Sequence, residues 1–250
     1  MTPAPFLAMV PCMGLHGAGV LAIWNDVVPD GEAEFNHWHT LEHVPERLGI
    51  PGFLRGRRYQ AVSGSPKYFT LYEAETVETF AGEAYLARLN DPTPWTRRAL
   101  PLFRNTNRTA CRVTRSLGLG VGAILATLRL APMPGREEEL RAWLTGTALP
   151  ELASRPGLVG AHLLEAELSA TRVPTSERKL RDRDDEVAAW ALLLEGLEAE
   201  GVETVSRELV SREALSRRGA SPEPILGVYR LLYCLAKADG REPPGERDRR

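Results

Sequence analysis

Short runs of apolar and β-branched residues recur along the chain and predict eight β-strands. Each run is bounded by turn-forming or charged residues, which is typical of strands that pack in a sheet. The predicted strands are residues 19–23, 53–62, 67–73, 109–114, 121–130, 158–170, 188–195 and 225–236. The eight strands fall into two groups of four. In each group a helix is predicted between the first and second strands, and another between the third and fourth. The pattern therefore predicts the order β-α-β-β-α-β twice.

An internal repeat supports this division into two halves. A tryptophan, a Pro-Glu pair and a Pro-Gly pair occur in the same order and at one constant offset, as Trp38, Pro45-Glu46 and Pro51-Gly52 and then as Trp143, Pro150-Glu151 and Pro156-Gly157. A shared offset over a helix and the turn after it is the pattern of a repeated structural unit. We therefore predict two modules, residues 1–116 and 117–237, followed by a disordered tail at 238–250.

The order of elements predicts the fold class. In the ferredoxin-like arrangement, β-α-β-β-α-β forms a four-stranded antiparallel sheet with both helices on one face. The other face is apolar, and burying such a surface stabilises a protein by about 25 cal/mol per Å². We therefore predict an α+β protein in which two tandem ferredoxin-like modules pack their antiparallel sheets face to face as an intramolecular barrel. The edge strands are expected to stay open, so a monomer (a pseudo-dimer) and a homodimer are both compatible with the sequence.

Composition and charge remove several function classes. Hydrophobic residues make up 43% and charged residues 26% of the 250 residues, as in globular proteins. The net charge of -2 gives no positive field for nucleic acid. No apolar run approaches the ~20 residues of a spanning helix, and the apolar stretch 6–10 lacks a preceding basic residue, so neither a membrane span nor a secretory signal is predicted. Three dispersed cysteines, Cys12, Cys111 and Cys234, suit a reducing compartment, and the cytoplasm is the expected location.

A charged insertion interrupts the second module at residues 172–186. Residues 177–186 are charged at every position except Leu180. Charge blocks of this kind are usually hydrated, so we expect a solvated hairpin extension or a mobile loop. A loop that docks a partner is the alternative that the sequence leaves open.

Three of the five histidines fall within residues 36–47, on the first predicted helix. At ~100° per residue, one helix face carries polar groups and the other apolar ones. The polar face holds His39, Glu42, His43 and Glu46, and the apolar face holds Trp38, Leu41, Val44 and Leu48. A carboxylate beside an imidazole can orient the ring and tune its pKa for proton transfer near neutral pH. We predict His39 and His43 as catalytic residues, with Glu42 orienting one ring.

The repeat provides an internal control for this prediction. At the same offset, the second half carries Leu144 in place of His39, Thr147 in place of Glu42 and Ala148 in place of His43. The second copy therefore keeps the scaffold without the imidazoles. Because two copies of one fold need the same structural residues, the imidazoles are not required for folding, and this favours a functional role.

Residues on the three strands expected to face this helix are candidates for substrate binding. They are Trp24, Asn25, Arg58, Tyr68 and Tyr72. Period-two alternation places Tyr68 and Tyr72 on one face of their strand. Packing in the core is an equally weighted alternative for the tyrosines and Trp24. Of Arg57 and Arg58, one is expected to point into solvent, and the other to be free to bind a carboxylate.

The same histidines are also candidate metal ligands. Two imidazoles and the Glu42 carboxylate match a two-His, one-carboxylate set, but the sequence offers no identifiable fourth ligand. We therefore predict no metal and no bound organic cofactor, with haem or a divalent metal at His39 and His43 as the alternative. The sequence also has no phosphate-binding loop and no dinucleotide fingerprint.

The segments 19–26, 38–47, 51–53 and 57–59 resemble the dimeric α/β-barrel superfamily, and within it the EthD-like proteins. Members include muconolactone isomerases, polyketide cyclases, cofactor-free monooxygenases and haem-dependent aldoxime dehydratases. The resemblance covers almost the whole chain as two tandem modules. It implies the barrel strongly and the reaction weakly, since a fold does not determine a function. Histidines on a helix that faces the cavity are common in such proteins, which supports His39 and His43.

We therefore expect a metabolic enzyme that acts on a small, carbonyl-bearing or aromatic molecule as an isomerase, lyase or cyclase. His39 would be the general base or acid and His43 its partner, while Tyr68 or Arg58 polarises a substrate oxygen. Two alternatives stay open. One is a cofactor-free or haem-dependent monooxygenase of an aromatic substrate, and the other is a non-catalytic ligand-binding module.

Overall fold

The computed structural model describes residues 14–181 and 184–237 and contains two groups of four strands. The first group consists of β1 (Gly19–Val27), β2 (Phe53–Ser63), β3 (Tyr68–Ala74) and β4 (Phe103–Gly118). The second consists of β5 (Ile124–Leu130), β6 (Leu158–Ala166), β7 (Trp190–Gly196) and β8 (Ile225–Ala236). All eight predicted strands are present, although β4 is much longer than predicted and β6 ends earlier. The tail at 238–250, the stretch 6–10 and Cys12 lie outside the described residues.

Helices follow the first and third strands of both groups, and the second group has two further short helices between β6 and β7. In the first group they are α1 (Glu32–Trp38), α2 (Val44–Leu48), α3 (Glu83–Asn90) and α4 (Pro94–Ala99), with short 3-10 helices at Pro29–Gly31, Val77–Ala81 and Leu100–Leu102. In the second they are α5 (Glu137–Trp143), α6 (Leu149–Ser154), α7 (Leu168–Thr171), α8 (Ser176–Lys179), α9 (Ala199–Leu209) and α10 (Arg212–Arg217). One turn of π-helix joins α1 to α2, at His39–His43, and another joins α5 to α6, at Leu144–Ala148. No helix in the described part of the chain is both long and apolar enough to cross a membrane.

The strands form one closed antiparallel barrel in the order β1-β3-β2-β8-β5-β7-β6-β4. Each group contributes a ferredoxin-like sheet, β4-β1-β3-β2 or β8-β5-β7-β6, which confirms the predicted α+β fold class. The two sheets face each other across the barrel. They also pair at both edges, through β2 with β8 and β4 with β6. The expectation of open edge strands was therefore wrong, because closure satisfies the N–H and C=O groups that an edge would expose.

Alternation along each strand separates the barrel interior from the helix-covered face. On β1, Val20, Ala22 and Trp24 belong to the interior cluster, which also contains Leu125 and Tyr229 of the second group. The indole of Trp24 donates a hydrogen bond to Thr127 Oγ1 across the barrel, at 2.9 Å. The intervening residues of β1 lie under the helices. The apolar face of each sheet, which carries no helices, thus forms the inside of the barrel.

One end of the barrel interior holds a network of buried charges. Arg57 Nε lies 2.9 Å from Glu73 Oε1, and Arg57 Nη1 lies 2.9 Å from Glu195 Oε1. Arg55 also donates to Glu73, at 2.9 and 2.8 Å. His162 lies beside Glu195. The prediction that one of two neighbouring arginines points into solvent was wrong, because both faces of β2 are covered: Arg57 is 0% and Arg58 is 6% exposed.

The charged insertion does not form a solvated loop where the structure describes it. It contains the short helix α8, and its Glu177 is 4% exposed. Ser176 N–H donates to Asn90 Oδ1 at the end of α3, which attaches the segment to the first module. Arg181 forms a bidentate ion pair with Asp185, at 2.7 and 2.6 Å. The insertion therefore belongs to the second module in sequence and covers the first module in space.

Candidate functional site

A small cavity lies between the helices and the sheet of the first module, beneath the insertion. Its volume is about 30 Å³, which is room for about two water molecules. Strands β1, β3 and β4, the π-helix, helices α2 and α3 and the insertion all contribute to its wall. The second module's own sheet does not, so the cavity is a feature of the half that carries the histidine cluster.

The π-helix places both predicted catalytic histidines in this wall. A π-helix has i→i+5 hydrogen bonds and therefore inserts one residue relative to an α-helix, and such insertions are frequent at functional sites. The extra residue changes which side chains face the sheet. His39 and His43 lie buried beside Trp38 and Val44, whereas Leu41 is 50% exposed. The predicted division into a polar and an apolar face was wrong for this reason.

The second module has the same π-helix at the equivalent position. There Leu144 and Ala148 replace the two imidazoles, and both are buried. The π-helix is therefore part of the common scaffold, and the imidazoles are an addition to it in the first module alone. This is the structural form of the asymmetry that the repeat shows in sequence.

The environment keeps both imidazoles neutral. Their ring centroids are 5.2 Å apart, and His43 packs against Trp38 at 4.3 Å. Burial lowers the pKa of His39 well below 6.5, and the positive charges of Arg58 and Arg47 lower it further. Burial and then Arg47 lower the pKa of His43 in the same way. Neither Nδ1 atom has a hydrogen-bond partner. A neutral buried imidazole is able to accept a proton, so the pair has the chemistry of a general base.

Several predicted substrate-binding residues lie at or near the cavity. Asn25 and Tyr72 line it with the histidines. Burial raises the pKa of Tyr72, so its hydroxyl stays protonated. Tyr68 is buried next to them and accepts a hydrogen bond from Asn36 at 3.4 Å. Arg58 donates to the backbone oxygen of Asn36 at 3.3 Å.

Two predicted residues are directed elsewhere. Trp24 lies inside the barrel, on the opposite face of β1 from Asn25, so it does not line the cavity. The Glu42 carboxylate accepts hydrogen bonds from Thr93 Oγ1 at 2.6 Å and Thr96 Oγ1 at 3.3 Å. In the described part of the chain it makes no hydrogen bond to either imidazole. Glu42 therefore holds the start of α4 against the π-helix instead of orienting a ring.

Sequence reasoning missed the charged residues that complete the cavity wall. They are Arg47, Arg108, Glu177 and Arg181. Arg47 lies in the histidine-rich segment, but its partner Glu177 is 130 positions away in the insertion. The run of charges at 177–186 was the available signal, but such a run is typical of a hydrated surface. A local pattern does not show which distant surface a charged segment covers.

The residues present do not fit a haem or a divalent metal at His39 and His43. A metal-ligating histidine almost always donates its other ring N–H to a carboxylate, a carbonyl or water. In this site Glu42, the carboxylate predicted to join the imidazoles, is engaged by Thr93 and Thr96, and a cavity of about 30 Å³ is far smaller than a haem. Within residues 14–181 and 184–237, no three His, Cys, Asp or Glu side chains form a group able to hold a metal ion.

Solved structures share this architecture. An anthrone oxidase-like protein superimposes with a TM-score of 0.60 at 14% identity, over 92% of this chain and 97% of that chain. A proposed monooxygenase from Fusobacterium nucleatum superimposes with a TM-score of 0.56 at 11% identity, over 89% and 96% of the two chains. A proposed chlorite dismutase superimposes with a TM-score of 0.53 at 10% identity, over 87% of this chain and 96% of that chain. No protein-family model and no curated protein matches the sequence. At these identities the likeness shows the fold, a ferredoxin-like dimeric α+β barrel, as the resemblance implied.

Proposed function

We propose that this protein oxygenates an electron-rich aromatic substrate without a bound organic cofactor, and that His39 removes the proton that starts the reaction. The observation that carries the proposal is a pair of neutral, buried imidazoles beside arginine charges, in an aromatic-lined cavity. A base of this kind has to be neutral before the substrate is bound. The positive charges nearby then stabilise the anion that proton removal creates.

The proposed substrate is an aromatic molecule with an acidic CH₂ group conjugated to a carbonyl. His39 takes one proton, and the electron pair of the C–H bond delocalises onto the carbonyl oxygen. The resulting carbanion forms a C–O bond with O₂, which is reduced. The protonated His39 returns its proton to the outer oxygen, which gives a hydroperoxide and restores the neutral base. Loss of the second proton from the same carbon then forms the C=O bond and breaks the O–O bond, and the departing hydroxide takes up that proton. The CH₂ group becomes a carbonyl, and the other oxygen atom leaves as water, so one O₂ is consumed for each substrate.

The names of two structural relatives support the oxidative version of this chemistry. One is anthrone oxidase-like and another is a proposed monooxygenase. The isomerase, lyase or cyclase expected from the sequence would use the same proton removal, followed by protonation at another atom or by bond cleavage instead of reaction with O₂. Oxygen uptake is therefore the quantity that separates the two. A non-catalytic ligand-binding module would bind the molecule with neither O₂ uptake nor product formation.

We also infer that the chain arose by tandem duplication of one ferredoxin-like module, and that it is related to the EthD-like proteins that its first half resembles in sequence. The repeated element order and the π-helices at equivalent positions support the duplication. Loss of the imidazoles from the second copy, or their gain in the first, would leave a single site in each chain. The substrate remains a small molecule in either case.

The test measures O₂ uptake with an electrode, with anthrone as the substrate. The variants H39L and H43A introduce the residues of the second module at equivalent positions, so the π-helix is expected to be retained. We expect uptake by the wild-type protein and a loss of at least ~100-fold in H39L, because general-base catalysis contributes about that much. As a control, Leu144→Ala alters the equivalent position of the second module and is expected to keep the activity. Product formation without O₂ uptake would overturn the oxidative proposal.

A further inference from the structure

The wall of the cavity contains a buried ion pair between two modules. Arg47 Nη2 lies 2.5 Å from Glu177 Oε1, and the two side chains are 2% and 6% exposed. Arg47 belongs to α2, directly after the π-helix, and Glu177 belongs to α8 in the insertion. The second guanidinium nitrogen of Arg47, Nη1, is buried without a hydrogen-bond partner. Nη1 lies 3.6 Å from Glu46 Oε2, an ion pair without a hydrogen bond, so Arg47 has donor capacity left for another anionic oxygen.

Positive groups outnumber carboxylates in this wall. Three arginines line the cavity, namely Arg47, Arg108 and Arg181. Among the described residues, Glu177 is the one carboxylate that lines it. Arg181 is neutralised outside the wall by Asp185, to which it makes two hydrogen bonds. Burying a charge without a counter-charge is costly, so a cavity with this balance favours an anionic ligand.

The closed cavity is too small for the substrate class proposed above. Its volume of about 30 Å³ holds water only, whereas ligand sites are usually about 300–1,000 Å³. An aromatic substrate therefore enters only if residues 172–181 move away from the helices. Their described polar attachments to the first module are the Arg47–Glu177 pair and the hydrogen bond from Ser176 N–H to Asn90 Oδ1, and Leu180 packs against the apolar cluster around Phe35. When they move, Glu177 leaves and Arg47 loses its hydrogen-bonded carboxylate, while it keeps the longer ion pair with Glu46, at 3.6 Å.

We propose that Glu177 occupies the place of a carboxylate on the substrate, and that Arg47 binds this carboxylate when the insertion is displaced. The inference rests on the proposed function in one respect, that the ligand is an aromatic molecule. It adds that the ligand is an aromatic acid, and that Arg47 determines this preference. A guanidinium forms the same geometry with a substrate carboxylate as with a glutamate. Exchange of one carboxylate for the other leaves no buried arginine unpaired.

Calorimetric binding under nitrogen tests the proposal without turnover. The probes are salicylate, an aromatic acid, and salicylamide, its neutral counterpart of similar shape. In E177Q the internal competitor is lost, and we expect salicylate to bind about tenfold more tightly, since a ligand that must first displace a competing state has a reduced apparent affinity. The affinity for salicylamide is expected to change little. The double variant R47Q/E177Q carries neither charge, so it buries no unpaired ion, and we expect it to lose the gain for salicylate.

A matched control is Glu203→Gln, which breaks the ion pair of Glu203 with Arg207 on α9, away from the cavity. We expect its affinities to equal those of the wild-type protein. The proposal is overturned if E177Q binds salicylate no more tightly than wild type. It is also overturned if salicylamide gains as much as salicylate, or if the gain persists in R47Q/E177Q. The binding measurements are made without O₂, so they are independent of the oxygen-uptake assay. Failure of the wild-type protein to consume O₂ would disprove the oxygenase function and leave this inference standing. The contrary binding results would disprove this inference and leave the oxygenase function standing.

Discussion

Arg57 of the first module and His162 of the second lie at equivalent positions on β2 and β6, and both contact the carboxylate of Glu195. Arg57 Nη1 is 2.9 Å and His162 Nε2 is 3.4 Å from Glu195 Oε1. The other ring nitrogen of His162 lies 2.9 Å from Ser116 Oγ. Arg57 also contacts Glu73 of its own module, at 2.9 Å. Closure of the barrel thus brings the polar positions of both copies into one buried network.

This network predicts sensitivity to acid. Burial by itself disfavours ionised Glu195, but the Arg57 charge and the adjacent His162 ring outweigh it and lower the pKa of Glu195 to about 2, from 4.5. A carboxyl group whose pKa is lower in the folded protein than in the unfolded chain stabilises the folded state at pH values above its unfolded-state pKa. This contribution is lost as the pH falls from about 4.5 towards 2. At neutral pH it is on the order of 3 kcal/mol. Urea unfolding of wild type and E195Q at several pH values measures it. If the free energy of unfolding of E195Q fell as steeply with decreasing pH as that of wild type, the assignment of this effect to Glu195 would be contradicted.

Removal of Arg57 should strongly destabilise the fold. Arg57→Met leaves Glu195 buried without its guanidinium partner, and breaking a buried pair in this way costs about 3–5 kcal/mol. The free energy of unfolding, obtained from urea titration, is the quantity to measure. Arg136→Met provides a control, because Arg136 pairs with Glu139 at the surface, where such pairs contribute less than about 1 kcal/mol. Similar losses in the two variants would show that the barrel network is not a major source of stability.

The acid limb of the kcat/KM–pH profile should lie below the ordinary pKa range of histidine. Burial, followed by the charges of Arg58 and Arg47, lowers the pKa of His39 well below 6.5. Since the neutral ring is the base, kcat/KM should stay high as the pH falls through 6.5 and decline only well below it. Arg58→Met removes one positive charge, so the limb should move to higher pH. The pH profile of O₂ uptake measures both effects, and a wild-type limb at 6.5 or above would contradict the role of His39.

Glu42 should affect stability more than the reaction. Its carboxylate accepts hydrogen bonds from Thr93 and Thr96, and weakening a pair of such bonds costs on the order of 1 kcal/mol. Glu42→Gln should therefore lower the free energy of unfolding by about that amount and leave kcat/KM unchanged. Steady-state kinetics and urea unfolding of the same preparation test this. A loss of activity as large as that of H39L would return Glu42 to the role first predicted, that of orienting an imidazole.

Much of the fold could be predicted because its elements are encoded locally. Strand positions follow from apolar and β-branched runs, and the offset between Trp38 and Trp143 shows that one unit occurs twice. The same offset shows that only the first copy has imidazoles at positions 39 and 43. Both features depend on residues that are near one another in the chain. For this reason the element order and the location of the histidine cluster did not need a tertiary structure.

The composition of the site was decided by contacts between distant parts of the chain. Alternation shows that Trp24 and Asn25 lie on opposite faces of β1, but barrel closure decides that Trp24 faces the interior. One inserted residue in the π-helix changes the burial of Leu41, and periodicity alone does not reveal it. Glu177 meets Arg47 across 130 positions. Sequence thus determined which groups are available, and tertiary structure determined their partners, because burial and charge pairing depend on surfaces that meet only when the barrel closes.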